Sequence, residues 1–483
     1  MPGDMVPFRM IGNLYFVGTK GASCHAIDTG DGIILIDVGY DYTAEVVIES
    51  LATVGLDVSN VKYILLSHGH GDHSDGVPKI KELSGARCLM HEADICYIKG
   101  FTPDGYLHDG DVIRLGNTEI LCLHTPGHTA GVMSFFFDVC EGGVTYRAGM
   151  FGGAGVNQLK KVVLDRRMFP FSWRRDYLAT LDRLRGVRVE VLVGNHTWNN
   201  KTPEKYEMML AGAEKNPFIG ERAWGAFLNS CERSLLKIFK KESRESFVNY
   251  AHRGASEYYP ENTALAFDKG LEMGANGIET DVRLTRDGVL VLFHDSTLER
   301  MAGKSGGVED YTLEQLRSFD ISFGGYSDKI LTLEEFLERY SEREITFAIE
   351  LKGEGVEVGV AELIRKYALE KKCFVTSFSL DKIKRIKEYA PEIRVGYLAK
   401  EVTDELLSEL RKIGADELCP KACEITAQRV EEWHRAGFNV RAWGTSNMEL
   451  GAAVYDSFAN GATVNFPDKM AEYIISRAEE PIE

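Results

Sequence analysis

Within six residues, His68, Gly69, His70, Gly71, Asp72 and His73 gather three imidazoles and one carboxylate at the end of the β-branched run VKYILLSH. Neutral imidazole and carboxylate are ligands for zinc or iron, and the glycines let such a loop wrap closely around an ion without Cβ clashes. Two more histidines fall where strands give way to loops, His128 in HTPGHTAG after EILCLH and His196 at the end of VLVGNH. The spacing describes a metal site whose remaining ligands come from distant segments.

A second constellation is acidic. Glu279 and Asp281 stand two apart in GIETDV, and Glu350 and Lys352 two apart in IELK, so each pair shares one face of its strand. Between GIETDV and VLVLFH there is room only for a hairpin, with Asp287-Gly288 as its two-residue turn, and that register sets His294 opposite Asp281. Three carboxylates and two histidines, His252 and His294, at strand C-terminal ends suit a hard divalent cation with acid–base chemistry at a barrel mouth.

The elements needed to carry these groups differ between the halves. Residues up to about 200 alternate short strands (GIILIDV, YILLSH, MSFFF, VEVLVG) with helices and glycine turns. From 246 a strand-then-helix unit recurs, with FVNYAH, GIETDV, VLVLFH, FAIELK, FVTSFS, VGYLA, DELCP, VRAWG and TVNFP as strands. Removing VLVLFH as an antiparallel return leaves the eight parallel strands of a (β/α)₈ barrel. Between the halves Trp224, Phe227, Leu228, Cys231, Leu235 and Ile238 recur at helical spacing, a packing face that KKESRES should break with charge near residue 240. The expected division is an N-terminal domain 1–210, a helical connector 211–245 and a barrel 246–483.

The HxHxDH loop, the HTPGHTAG segment, the strand-end His196 and the early strand ending in Asp37 and Gly39 together resemble the metallo-β-lactamase superfamily over about residues 8–200. The resemblance implies an αββα sandwich in which His68, His70 and His128 hold one ion, zinc or iron, and Asp72, His73 and His196 a second. It departs at Gly149-Met150, where relatives carry a Gly-Asp whose carboxylate bridges the ions, and a thioether is a poor substitute for that oxygen. The expected domain is a second metallo-hydrolase, with a non-catalytic binding or dimerisation module as the alternative.

AHRG, PENT, GIETDV, TRDG, FHD, IELK and NFPD, in this order over about residues 247–475, resemble the glycerophosphodiester phosphodiesterase family. By that resemblance Glu279, Asp281 and Glu350 bind Mg²⁺ or Ca²⁺, and His252 and His294 are general base and general acid. Arg253 and Lys352 neutralise the phosphate, Glu261 completes the metal or hydrogen-bond shell, and Trp443 and Phe378 wall the pocket.

Composition narrows the partners. A net charge of −17 repels polyphosphates and anionic surfaces, which argues against nucleic acid as a partner, and the second resemblance implies a small-molecule phosphodiester as substrate. No run reaches the ~18 apolar residues of a membrane helix, which predicts no stable membrane insertion. A start without a signal-peptide pattern and nine cysteines without a CxxC pair predict a cytoplasmic protein with reduced thiols; a homo-oligomer is compatible with all of this.

Overall fold

The computed structural model describes residues 4–167, 169 and 172–477. The chain divides between Leu235 and Leu236 into two compact units.

The N-terminal unit is built on two sheets. The first runs in sequence order: β1 (Phe8–Ile11), β2 (Leu14–Phe16), β3 (His25–Asp28), β4 (Ile33–Ile36), β5 (Val61–Leu65), β6 (Arg87–Met90) and β7 (Gly105–Tyr106). Its first four strands are antiparallel and the rest parallel. The second holds β8 (Val112–Leu115), β9 (Thr118–His124), β10 (Met133–Glu141), β11 (Val144–Met150) and β12 (Val191–Val193), in the order β12-β11-β10-β9-β8. Period-two alternation explains the layering. Phe135 and Phe137 of β10 point between the sheets with Phe16, Ile34, Ile36, Leu65 and Ile120, whereas Phe136 points outward onto Trp224. On the outer face of the first sheet, helices Glu45–Thr53 and Val77–Ser84 bury Val47, Leu51, Val77 and Ile80 against Leu35, Ile64 and Leu66. The expected αββα sandwich is therefore present. Truncating Phe135 in so close-packed a layer would cost about 3–5 kcal/mol.

The connector differs from its expectation only before residue 223. Residues 211–222 are turns, and the helix Ala223–Glu245 runs straight through the lysines and glutamates of KKESRE. Lys, Glu and Arg are strong helix formers, and Lys241 meets Glu245 one turn on, so charge ends the apolar stripe without ending the helix. Trp224, Leu228, Cys231 and Leu235 are buried, and the Trp224 indole donates to the carbonyl of Leu184.

All nine strands expected in the C-terminal unit form. They are β13 (Val248–His252), β14 (Gly277–Leu284), β15 (Leu290–Leu292), and, after a short hairpin of β16 (Ile321–Phe323) with β17 (Tyr326–Asp328), β18 (Thr346–Leu351), β19 (Cys373–Ser377), β20 (Arg394–Ala399), β21 (Glu417–Pro420), β22 (Asn439–Thr445) and β23 (Gly461–Val464). Eight of them are parallel and close into a barrel, β13-β23-β22-β21-β20-β19-β18-β14, with β14 returning to β13. β15 runs back antiparallel along β14. Between β15 and β18 lies an insertion with its own small core of Phe293, Leu298, Met301, Val308, Leu316 and Ile321.

The β14–β15 register corrects the two-residue turn. Val282 pairs with Leu292 and Leu284 with Leu290, and Thr285 still bonds Val289, so the loop is the three residues Arg286, Asp287 and Gly288. Gly288 takes φ +80°, the left-handed closing position of such a loop. Asp281 consequently faces Phe293, whose N–H donates to the Asp281 carbonyl, and His294 lies beyond the strand end.

Candidate functional site

In the N-terminal unit β5 ends at Leu65 and delivers Ser67 and His68 to the sheet edge beside Asp37, which follows β4. Asp37 is fully buried at φ +58°, a conformation that a non-glycine residue holds only under constraint. Its carboxylate accepts from the Ser67 N–H (2.7 Å) and hydroxyl (2.7 Å), and its Oδ2 lies 2.9 Å from His73 Nδ1. The Ser67 hydroxyl oxygen is in turn 3.1 Å from His68 Nδ1. Both rings thus have their Nδ1 occupied and direct Nε2 inward. His128 and His196 are set the same way by backbone carbonyls, Nδ1 donating to Gly155 (2.7 Å) and Gly21 (2.6 Å).

Asp94 ties the two ligand loops together. It accepts from the Gly69 N–H (2.9 Å), the Thr129 hydroxyl (2.7 Å) and the Gly131 N–H (2.7 Å). A Cβ at Gly131 would stand 2.7 Å from this carboxylate, so the close approach requires glycine.

The loop histidines converge. Donor atoms of His68, His70 and His128 lie within 4.8 Å of one another, and so do those of His68, Asp72 and His73. His196 stands next to the second set, its Nε2 3.8 Å from Asp72 Oδ2. Burial holds His68 well below the ordinary imidazole value, His70 down at about 4 and His128 at about 3, so these rings are neutral at pH 7. His73 is opposite in sense: burial disfavours its charge, but Asp37 and Asp72 on either side carry it up to about 10. Among the described residues, the buried Nε2 of His70 lacks a hydrogen-bond partner, and that of His73 lies 3.2 Å from Asp72 Oδ2. A borderline cation satisfies all of these demands at once, so the donor set fits zinc or iron. Met150 is buried in the layer between the sheets, paired in register with Phe135 and Val193, and supplies no carboxylate.

In the barrel the parallel register sets Asp281 of β14 directly beside Glu350 of β18, with Glu279 two residues earlier on the same face. Carboxylate oxygens of the three lie within 4.8 Å of one another and all three residues are buried. Burial and the Asp281 carboxylate push Glu279 well above the usual range and Glu350 up to about 7. Asp281 stays low despite burial because Arg253 and Lys352 face it. Its Oδ1 is buried without a hydrogen-bond donor, so three crowded carboxylates offer an ill-compensated negative pocket that fits a hard divalent cation.

The flanking groups are equally specific. Arg253 Nε lies 3.1 Å from Asp281 and its Nη1 3.0 Å from Glu261, and Lys352 Nζ is 2.7 Å from Glu350. His252 Nδ1 meets Asn465 Oδ1 at 2.6 Å, with its Nε2 3.8 Å from Glu279, and burial together with Arg253 lowers it to about 4. His294 Nδ1 contacts Asp295 Oδ1 at 2.7 Å, and burial lowers that ring as well. Trp443 and Phe378 meet edge to face at 5.0 Å, with Lys352 Nζ 5.6 Å from the Phe378 ring centre. A cavity of about 140 Å³ opens beside His252 and Arg253, lined by Ser256, Tyr259, Met301 and Phe323. Glu261 stands outside the carboxylate trio: it lies with His294 and Asp295 and is clasped by Arg253 and Arg300.

Sequence reasoning passed over several contributors. Asn262, Asp295 and Asn465 sit inside PENT, FHD and NFPD, and those motifs could have named them; Asn262 donates to Asp281 Oδ2 at 3.0 Å. Asp94 and Arg300 carry no comparable signal.

Comparison with known proteins adds two families. The sequence model of the glycerophosphoryl diester phosphodiesterase family matches residues 252–469, and that of the metallo-beta-lactamase superfamily residues 17–144. The protein YqiK of Bacillus subtilis is 32% identical over 46% of this chain and 95% of its own length. A glycerophosphodiester phosphodiesterase of Caldanaerobacter subterraneus subsp. tengcongensis is 30% identical over 46% of this chain and 96% of its own. Among solved structures, the FEZ-1 metallo-beta-lactamase of Legionella gormanii aligns with 50% of this chain and 98% of its own at 28% identity and a TM-score of 0.47.

Proposed function

The chain belongs, through its C-terminal half, to the glycerophosphoryl diester phosphodiesterase family, and from that premise we propose that the barrel cleaves glycerophosphodiesters to glycerol 3-phosphate and an alcohol. The observation that carries the reading is the buried trio Glu279, Asp281 and Glu350, bracketed by two histidines and two cations. Glu279, Asp281 and Glu350 would hold Mg²⁺ or Ca²⁺, whose charge offsets the negative charge that grows on the phosphoryl oxygens.

The chain's own groups divide the remaining work. Asn465 Oδ1 is an acceptor, shared with the Ser256 hydroxyl (3.1 Å), so His252 carries its proton on Nδ1 and leaves Nε2 as the lone pair of a general base. A ring lowered to about 4 is neutral at pH 7, as a base must be. Asp295 fixes the Nδ1–H of His294, so its Nε2 faces the departing oxygen as general acid, and an arriving phosphodiester anion favours the protonated ring. Arg253 and Lys352 sit where they neutralise the phosphate, and Trp443 and Phe378 wall the pocket. The nucleophile is either water or the substrate's neighbouring glycerol hydroxyl, the latter giving a cyclic phosphate that water then opens.

The test is product analysis on glycerophosphodiesters with Mg²⁺ or Ca²⁺ present and after chelation. Release of glycerol 3-phosphate that stops on chelation supports the reading; no turnover of any glycerophosphodiester in either metal ends it.

For the N-terminal unit we propose a second metallo-hydrolase site, with His68, His70 and His128 holding one ion and Asp72, His73 and His196 the other. Zinc or iron held there supplies Lewis acidity for hydrolysis. Fusion to the barrel favours another ester of the same lipid-derived compounds as its substrate. The burial of Met150 favours a second reading, a binding or dimerisation module without catalysis. Elemental analysis of protein purified without added metal separates them: one or two zinc or iron ions per chain, lost in His68→Ala, support the first reading, and none supports the second. Nine cysteines without a disulfide support the reading of a protein that works in a reducing cytoplasm. No helix among the described residues is long and apolar enough to cross a membrane.

A further inference from the structure

His294 lies past the end of β15, so the strand pleat no longer aims its ring. What holds it is local: Arg283 grips its carbonyl oxygen through Nη2 (2.9 Å) and Nε (3.2 Å), and Asp295 Oδ1 holds Nδ1 at 2.7 Å. Asp295 itself is a half-buried loop carboxylate with two rotatable bonds, and it orients the ring only if something fixes its other oxygen.

Arg300 does so. Its Nε donates to Asp295 Oδ2 at 2.6 Å, while Nη1 and Nη2 clasp the two oxygens of Glu261 at 2.9 and 2.7 Å. The planar guanidinium therefore bridges two carboxylates in one fixed geometry, which a lysine ammonium cannot reproduce. Its helix, Glu299–Ala302, is anchored in the insertion by Leu298 and Met301, both buried. From Glu261 the contacts continue to Arg253 and on to Asp281. Arg300 lines the cavity beside His252, and the carboxylates its guanidinium holds are those of Asp295 and Glu261, not those of the buried trio.

We propose that Arg300 is a positioning residue for proton donation: by fixing Asp295 it keeps His294 Nε2 aimed at the leaving oxygen. The inference rests on His294 being the general acid. In that step the P–O bond to the alcohol breaks, its electron pair goes to the alcohol oxygen, and the Nε2 proton of His294 moves to that oxygen, leaving a neutral ring. Misplacing such a donor by about 1 Å costs on the order of 10²-fold.

The experiment compares two leaving groups on the same glycerol phosphate, glycerophosphocholine, whose alkoxide needs a proton, and glycerophospho-p-nitrophenol, whose phenolate departs without one. Arg300→Met should lower kcat on the choline ester roughly 10²-fold with little change in KM and leave the nitrophenyl ester nearly untouched. Arg300→Lys, which keeps the charge and guards against misfolding, should recover part of the loss. Glu261→Gln loosens both Arg253 and Arg300 and should slow both substrates, the choline ester more. Equal losses on the two substrates in Arg300→Met, or no loss on the choline ester, overturn the proposal. His294→Ala without leaving-group dependence would instead remove the acid assignment beneath it.

Discussion

The two metal-fitting clusters solve the crowding of ligands in opposite ways. In the N-terminal unit the donors are mostly imidazoles, kept neutral by burial and aimed by hydrogen bonds from their far nitrogens to Asp37, Ser67 and the carbonyls of Gly21 and Gly155. In the barrel the donors are carboxylates whose charges oppose one another, restrained by Arg253 and Lys352. The first cluster is shaped without an ion and gains little charge balance from one. The second is electrostatically incomplete without one, so occupancy and stability are coupled there far more strongly.

The strongest way to break this comparison is to remove the proton donor proposed for the barrel. His294→Ala should lower glycerophosphodiester turnover by roughly 10²–10⁴-fold in steady-state assays while metal content of the N-terminal unit is unchanged. Next comes orientation in the other unit. Asp37→Ala should weaken zinc binding by about 10–100-fold in a competition titration, since Asp37 fixes a ligand without touching the ion, and barrel turnover should not respond.

The sharpest contrast is in acid. With metal removed, Glu350 is raised to about 7 by burial and Asp281, and Glu279 is raised too, so the folded barrel binds protons that the unfolded chain releases above about 4.3. The contribution of these two carboxylates is full below that value and falls as pH rises toward 7, while His252, lowered to about 4, and His294, also lowered, contribute the opposite slope. In the N-terminal unit His70 and His128, depressed to about 4 and about 3, contribute stability that is full above about 6.5 and falls as pH drops toward 4, whereas the contribution of His73, raised to about 10, is full below about 6.5 and is lost as pH rises toward 10. Hydrogen exchange resolved by peptide, corrected for intrinsic rates, should show Mg²⁺ or Ca²⁺ adding more protection to the barrel at pH 7 than at pH 5, where Glu279 and Glu350 hold protons that compete with the cation. The smallest effect expected is at the pocket wall: Phe378→Leu keeps a hydrophobic side chain and should change KM several-fold with kcat almost unaltered.

Much of this arrangement was legible because period-two patterning is local. GIETDV and IELK place their acids on one face whatever surrounds them, and the structure sets Asp281 beside Glu350 as neighbours in register. Loop lengths were less legible. A two-residue and a three-residue turn ending in Asp-Gly look alike in sequence, and only the pairing of Leu284 with Leu290 distinguishes them. The short hairpin Ile321–Phe323 with Tyr326–Asp328 fell below the length at which alternation is readable. KKESRE marked the end of the apolar stripe but not of the helix, because charge marks exposure, while helix ends are set by caps and breakers. Asp94 and Arg300 were invisible for a different reason: each acts between segments far apart in the chain, and nothing in their immediate sequence records the partner.

The seam of the barrel has a consequence for when activity can begin. β13 and β23, the first and last strands, are neighbours, and Asn465, which orients His252, is 213 residues further along the chain. During synthesis His252 is among the first of the barrel's groups to emerge from the ribosome and among the last to be aimed. A truncated or half-made barrel retains its acids and its histidines yet leaves His252 unaimed, so under the proposed mechanism hydrolysis begins only once the closing strand has docked.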